Sequence, residues 1–235
     1  MQSKHYLMTI YCGKVAERYG METAIDKHPV KTNLYLSFEG LAGDECADKL
    51  YHGGFERALH QYPSEHYTYW QEKYGAIYSE QRAEKTHEKI AGMGENLSST
   101  GMTEHNVCLG DRYQWGEAII EVSQPRSPCF KLNKRWGIKS LSVDMQEVSR
   151  CGWLYRVIQP GIVSVNEPLE LMARVDNAMT INAVCETYFG DPLNKEKLLR
   201  LSQQSTLSDS WMDRVLQRLA TNEVESWDFR LLGPA

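Results

Sequence analysis

Over the first two thirds of the chain, apolar positions come in short runs broken by glycine. HYLMTIYCGK (5–14) alternates apolar and polar positions and ends in a turn at Gly13. NLYLSFEGLAGDE (33–45) reads as a strand followed by a Gly-rich bend, and EAIIEVSQP (117–125) is an apolar-rich run that stops at Pro125. LELMARV (169–175) follows the turn-rich PGIVSVNEP, and LGDRYQWGE (109–117) reads as a turn and a short hairpin with Asp111 as turn former. Many short strands at close spacing predict an antiparallel barrel or sandwich rather than a doubly wound sheet.

Two helical stretches interrupt this texture. PSEHYTYWQEKY (63–74) predicts a helix with Pro63 near its first turn, where a missing N–H costs nothing, and with Tyr67, Trp70 and Tyr74 on one face. A second helix is predicted from Ile138 to Ser149, ending near Cys151-Gly152. Beyond about residue 176 the periodicity becomes helical. TINAVCETYF, PLNKEKLLRLSQQ and SDSWMDRVLQRLATNE predict three short helices, the last with Ser208 as N-cap and with Trp211, Val215 and Leu219 along one face. The expectation is therefore a β-rich domain over 1–176 and a three-helix appendage over 177–235.

Composition narrows the class. An apolar fraction of 42% over 235 residues is enough for a proper core. The charge of −5, from 31 acidic and 26 basic residues, argues against broad nucleic-acid binding. No apolar run reaches the roughly 18 residues of a membrane span, and the N-terminus has no signal-peptide core. The six cysteines are widely spaced without a CxxC pair. A soluble cytoplasmic protein with reduced thiols is the expected class, with no nucleic-acid or membrane partner.

The candidate chemistry centres on SQPRSPCFKLN (123–133). Pro125 and Pro128 stiffen the backbone before Cys129, and Arg126 and Lys131 flank the thiol. Neighbouring cations lower a thiol pKa, and the thiolate is the reactive and metal-binding form. A buried structural cysteine explains the residue type about as well. In YHGGFERALHQYP (51–63), Gly53-Gly54 permits close approach of a ligand; His52 sits at the turn and His60 in a strand that an ordinary hairpin also explains. AGMGENLSSTGMTE (91–104) offers backbone donors around Gly94 and Glu95 that suit an anion, or a plain turn. Lys14 is a single lysine at a strand end, where an exposed surface lysine is the default.

YHGGFERALHQYPSEHYTYW, GMGENLSSTGMTE, LGDRYQWGEAIIEVSQPRSPCFKLN and GWLYRVIQPG together resemble the MOSC domain family, and the resemblance runs from about residue 5 to 232. It implies a MOSC-type β-barrel with inserted helices and a C-terminal three-helix appendage. It also implies a molybdenum cofactor (molybdopterin), with Cys129 ligating the molybdenum and a Lys–His–Cys grouping near the metal. Lys14 and His60 are assigned to that grouping, with His52 as the competing histidine. Gly94, Glu95, Asn96, Leu97, Arg57 and Arg126 are expected to bind the anionic cofactor. Members with the helical extension are associated with reducing N-hydroxylated bases of the 6-N-hydroxylaminopurine type to amines, which removes mutagenic base analogues. Either histidine, titrating near neutral pH, is expected to supply a proton. With no CxxC cluster and no dinucleotide fingerprint, a separate electron-donating reductase protein is implied. The competing reading is a molybdopterin or persulfide-sulfur carrier without turnover of its own.

Overall fold

The computed structural model describes residues 5–6, 8–48, 53–75 and 91–234. Its main element is a curled, barrel-type sheet of nine strands. The strands are β1 (His5–Tyr6), β2 (Met8–Cys12), β5 (His28–Val30), β8 (Leu59–Pro63), β9 (Leu97–Ser99), β10 (Arg112–Trp115), β11 (Ala118–Pro125), β12 (Trp153–Gln159) and β14 (Leu169–Ala173). They run in the order β1-β14-β10-β11-β12-β8-β9-β2-β5. Only β8 and β9 pair in parallel; the other ladders of this sheet are antiparallel. Two small sheets complete the β structure: β3 (Ala16–Arg18) with β4 (Met21–Thr23), and β6 (Leu34–Ser37) between β7 (Gly40–Leu41) and β13 (Gly161–Val163).

The alternation in the strand sequences explains how the sheet buries one face. In β10, Tyr113 and Trp115 are buried while Arg112 is exposed. β11 is buried almost throughout, because the sheet covers one side of it and the C-terminal helices cover the other. Pro125 ends this strand, where its missing N–H breaks no further ladder bond.

Helices sit where the periodicity changes, with some boundaries displaced from the expected ones. α1 spans His66–Tyr74, and Pro63 ends strand β8 instead of opening this helix. Tyr67 and Trp70 are buried on its inner face, and Trp70 stacks on Tyr74 with ring centroids 5.9 Å apart. The helix expected over 138–149 is present as α3 (Leu141–Glu147), and a further helix that was not expected, α2 (Phe130–Trp136), precedes it and ends at Gly137, which takes a left-handed φ of 61°. α2 begins directly after Cys129. A buried cluster of Tyr62, Tyr67, Trp70, Met93, Leu132, Trp136, Leu141 and Met145 joins α1, α2 and α3.

The C-terminal region carries α4 (Ile181–Cys185), which continues into a wider turn over Glu186–Gly190, then α5 (Lys195–Ser202), α6 (Asp209–Thr221) and a further short helix, α7 (Asp228–Leu232). Ile181, Val184, Phe189, Leu201, Trp211 and Val215 belong to the same buried cluster as Leu59, Trp115, Val122 and Tyr155 of the sheet. Ser208 stands at the N-cap position of α6 as expected, but its hydroxyl makes no capping bond and donates instead to Gln124 Oε1 at 2.7 Å. Among the described residues no helix is long and apolar enough to cross a membrane.

Candidate active site around Cys129

Cys129 lies in the loop between β11 and α2. Its backbone is extended (φ −136°, ψ 162°) and its carbonyl accepts from Leu132 N–H at 3.0 Å. The residue is 6% exposed. Both shoulders of the loop are tied down: Arg126 N–H donates to Gly152 O at 3.1 Å, and Pro128 O accepts from Arg230 Nη1 at 2.6 Å. The two prolines thus work together with fixed hydrogen bonds to hold the thiol.

His60 comes from strand β8, which is separated from β11 by β12 in the sheet. Its backbone N–H donates to Asn96 Oδ1 at 3.2 Å and its carbonyl accepts from Asn96 N–H at 2.8 Å. The ring is buried, and Nε2 has no hydrogen-bond partner among the described residues. Nη1 of Arg126 is buried and unpartnered in the same way. Gly152 allows this packing: a Cβ there would stand 3.1 Å from His60 Nε2 and 2.2 Å from Gln61 O, and φ is +70°. Burial and then the Arg126 charge hold the imidazole pKa well below its ordinary 6.5, with Lys27 adding to the effect and the Cys151 and Gly94 backbone opposing it. His60 is therefore neutral at pH 7, and the expectation that it titrates near neutrality is corrected: a buried ring facing two cations does not readily accept a third charge.

The lysine in this cluster is Lys27, which was not among the expected residues. It is buried, its Nζ reaches Asp44 Oδ2 at 2.5 Å, and its charge is felt by both His60 and Cys12. Asp44 also accepts from Gly13 N–H at 2.8 Å and from Asn96 Nδ2 at 2.7 Å, so Asn96 links the lysine's partner to the His60 backbone. Lys14 is instead on the surface, with 68% of its side chain exposed and its Nζ 2.9 Å from Glu45 Oε1. The sequence around Lys27 gave no signal, because one lysine in a turn between strands looks like a solvated charge. His52 lies outside the described residues.

The loop that precedes β9 is held from within. Glu95 is buried, which pushes its carboxyl pKa up, while hydrogen bonds oppose the shift; its Oε1 accepts from Tyr67 Oη and its Oε2 from Met93 N–H at 2.8 Å. Arg135 Nη1 and Trp136 Nε1, at the far end of α2, both donate to Gly92 O at 2.9 and 2.8 Å. The Asn96 amide is spent on His60 O, and Leu97 is locked between β2 and β8. Glu95 and Asn96 thus brace the loop and His60 through their side chains. Gly94, with φ +76°, carries the turn against Ile25. Arg57 sits half-buried in a short turn ahead of β8.

Burial and Asp44 push the Cys12 thiol up to about 11, and burial raises Cys108. None of the six cysteines is in a disulfide. Among the described residues no three His, Cys, Asp or Glu side chains converge as metal ligands would. A metal held at Cys129 by these residues would bring other ligands with it. Two of the buried polar atoms without a partner, His60 Nε2 and Arg126 Nη1, together with the Lys27 charge that His60 also feels, fit an anionic group beside the Cys129 loop.

A curled sheet of this order with a buried, doubly anchored cysteine defines a class, and the chain belongs to the MOSC domain family, whose model matches residues 48–170. A second model, "YiiM-like, 3-alpha helix domain", matches residues 179–222. The chain is similar to Protein YiiM of Escherichia coli (strain K12), with 41% identity over 97% of this chain and 99% of that one. The crystal structure of YiiM from Escherichia coli superposes with a TM-score of 0.81 at 36% identity, covering 98% of this chain and 100% of that chain. A protein named "Reductase" from Gibberella moniliformis is 37% identical over 65% of this chain, which spans 26% of that protein.

Proposed function

We propose that the protein is a molybdenum-cofactor-dependent reductase of N-hydroxylated bases of the 6-N-hydroxylaminopurine type, working in the cytoplasm to remove mutagenic base analogues. The observation that carries this reading is the pair of buried, unpartnered polar atoms His60 Nε2 and Arg126 Nη1, the latter on the Cys129 loop, with the His60 ring feeling both the Arg126 and the Lys27 charge. Leaving such atoms unpaired costs about 1–3 kcal/mol each, so a bound anionic group is the physical account of why the fold keeps them. Cys129 would be the protein ligand for molybdenum, and Arg126, Lys27 and His60 would offset the negative charge of the cofactor. Lys27, not Lys14, takes the lysine role of the Lys–His–Cys grouping.

When bound, the molybdenum cofactor supplies two-electron redox chemistry. The overall change is R–NH–OH plus two electrons and two protons to R–NH₂ plus water. Neutral His60 offers hydrogen bonding at Nε2 to the hydroxyl oxygen and does not carry charge there. Lys27, held by Asp44, supplies positive charge where negative charge develops on that oxygen. Electrons come from a separate reductase protein.

The test is molybdenum per chain in anaerobically purified wild type and Cys129→Ala, followed by reduction of 6-N-hydroxylaminopurine with a chemical electron donor. Near-stoichiometric metal and turnover in the wild type, both lost in the variant, are expected. Metal without turnover favours the carrier reading, and equal metal in both proteins removes Cys129 as the ligand.

A further inference from the structure

The last helix spends its polar groups on the cysteine loop. Arg230 donates through Nη1 to Pro128 O and through Nη2 to Gln146 Oε1 of α3, both at 2.6 Å. Its neighbour's carbonyl, Leu231 O, accepts from Asn133 Nδ2 of α2 at 2.9 Å and from Ser142 Oγ of α3 at 2.8 Å. Asn133 Oδ1 in turn accepts from Ser142 N–H at 2.8 Å, which closes a small network between the two helices that follow Cys129. Gly233 packs on the Phe130 ring, and Phe229 meets the same ring edge-on with centroids 6.4 Å apart.

Apolar burial does not account for this seating. Of the side chains of α7, only Leu231 is buried; Phe229 is 58% and Leu232 64% exposed. A five-residue helix has no stability of its own in water. Four hydrogen bonds to residues 128–146 hold it, and one lands on the residue immediately before the thiol. The segment also lies outside both matched regions, 48–170 and 179–222.

We infer that Phe229–Gly233 is a clamp that fixes the Cys129 loop, and that Arg230 is a positioning residue for the thiol. The C-terminal helical region then completes the site and is not an appendage to it. The inference concerns where the thiol is held and stands whether or not Cys129 binds a metal.

Hydrogen exchange read by mass spectrometry on the full chain tests it. In Arg230→Met, amides of the segment 128–136 are expected to exchange about tenfold to a hundredfold faster, the range that follows from losing a charge-assisted hydrogen bond. Peptides from β11, β12 and α6 are expected to stay as in the wild type. Arg230→Lys keeps a cationic donor for Pro128 O and is expected to restore part of the protection. Unchanged exchange in 128–136 would overturn the clamp. So would acceleration spread equally over α4 to α6, or a lysine variant no better protected than the methionine one. If Arg230→Met does not fold, Gln146→Leu removes one arm alone; a several-fold acceleration in the same segment supports the clamp and no change overturns it.

Discussion

Arg218 is a fully buried cation in the middle of the C-terminal helices, and its removal makes a sharp test of how they are held. Its side chain has no exposed surface. Nε and Nη2 donate to the two oxygens of Glu225 at 3.0 and 2.7 Å, and Nη1 donates to Tyr188 O at 2.7 Å. The guanidinium also lies 3.8 Å from the Tyr188 ring centroid. Arg218→Met keeps most of the apolar stem and deletes all three donors. Glu225 would keep Tyr188 Oη and Trp227 Nε1, at 3.0 and 3.1 Å, and the Tyr188 carbonyl would lose its Arg218 donor. Breaking a buried pair from one side costs about 3–5 kcal/mol, because the remaining charge is left uncompensated. For a chain of this length that is a fall of about 10 °C in Tm. Urea unfolding followed by tryptophan fluorescence measures it, since Trp211 and Trp227 lie in the same cluster. Arg218→Met/Glu225→Leu should recover a large part of the loss, leaving the cost at the Tyr188 carbonyl. A single-variant cost below about 1 kcal/mol, or no recovery in the double variant, would refute the reasoning.

The same carboxylate gives a pH signature. Burial pushes Glu225 up, but hydrogen bonds from Arg218 and Trp227 overcome this and hold it at about 2, below its ordinary 4.5. A depressed carboxylate contributes stability above pH 4.5 and loses it as pH falls through 2; at about 1.4 kcal/mol per pH unit the gap is about 3 kcal/mol, reduced to about 2 by solvent reaching the partly exposed group. Wild type should therefore lose about 2 kcal/mol more than Glu225→Gln between pH 5 and 2 in urea titrations, and parallel curves would count against it. Gly152→Ala should destabilise by at least about 2 kcal/mol in the same assay, since φ of +70° and a contact of 2.2 Å to Gln61 O both oppose a Cβ. An unchanged midpoint would mean that the loop moves freely. Lys27→Met should lower both molybdenum content and reduction of the N-hydroxylated base at least tenfold, while Lys14→Met leaves both within twofold; equal effects would remove Lys27 from the site.

Local pattern was enough for much of this protein. The turn at Asp111 gave a short hairpin, the stop at Pro125 gave the end of its second strand, and the spacing of Trp211 and Val215 gave a helix face. The two prolines ahead of Cys129 marked a rigid loop for the same local reason: proline fixes φ wherever it stands. What contact across the fold decides was not legible. Lys27 is buried against Asp44 because segments far apart in the chain fold over it, and nothing in its own stretch distinguishes it from Lys14. Asn96 and Glu95 sit in a glycine-rich loop that reads as an anion cradle, yet their groups are spent on His60, Met93 and Tyr67. His60 is the usual histidine in sequence, and only burial beside Arg126 keeps it neutral. Arg230 stands 101 residues after Cys129 in sequence, yet it holds the carbonyl of the residue next to it. Sequence fixes what each segment prefers, because propensity and periodicity act over a few residues. Burial, charge and the partner of each polar atom depend on chains that meet from far apart, and those the tertiary structure alone determines.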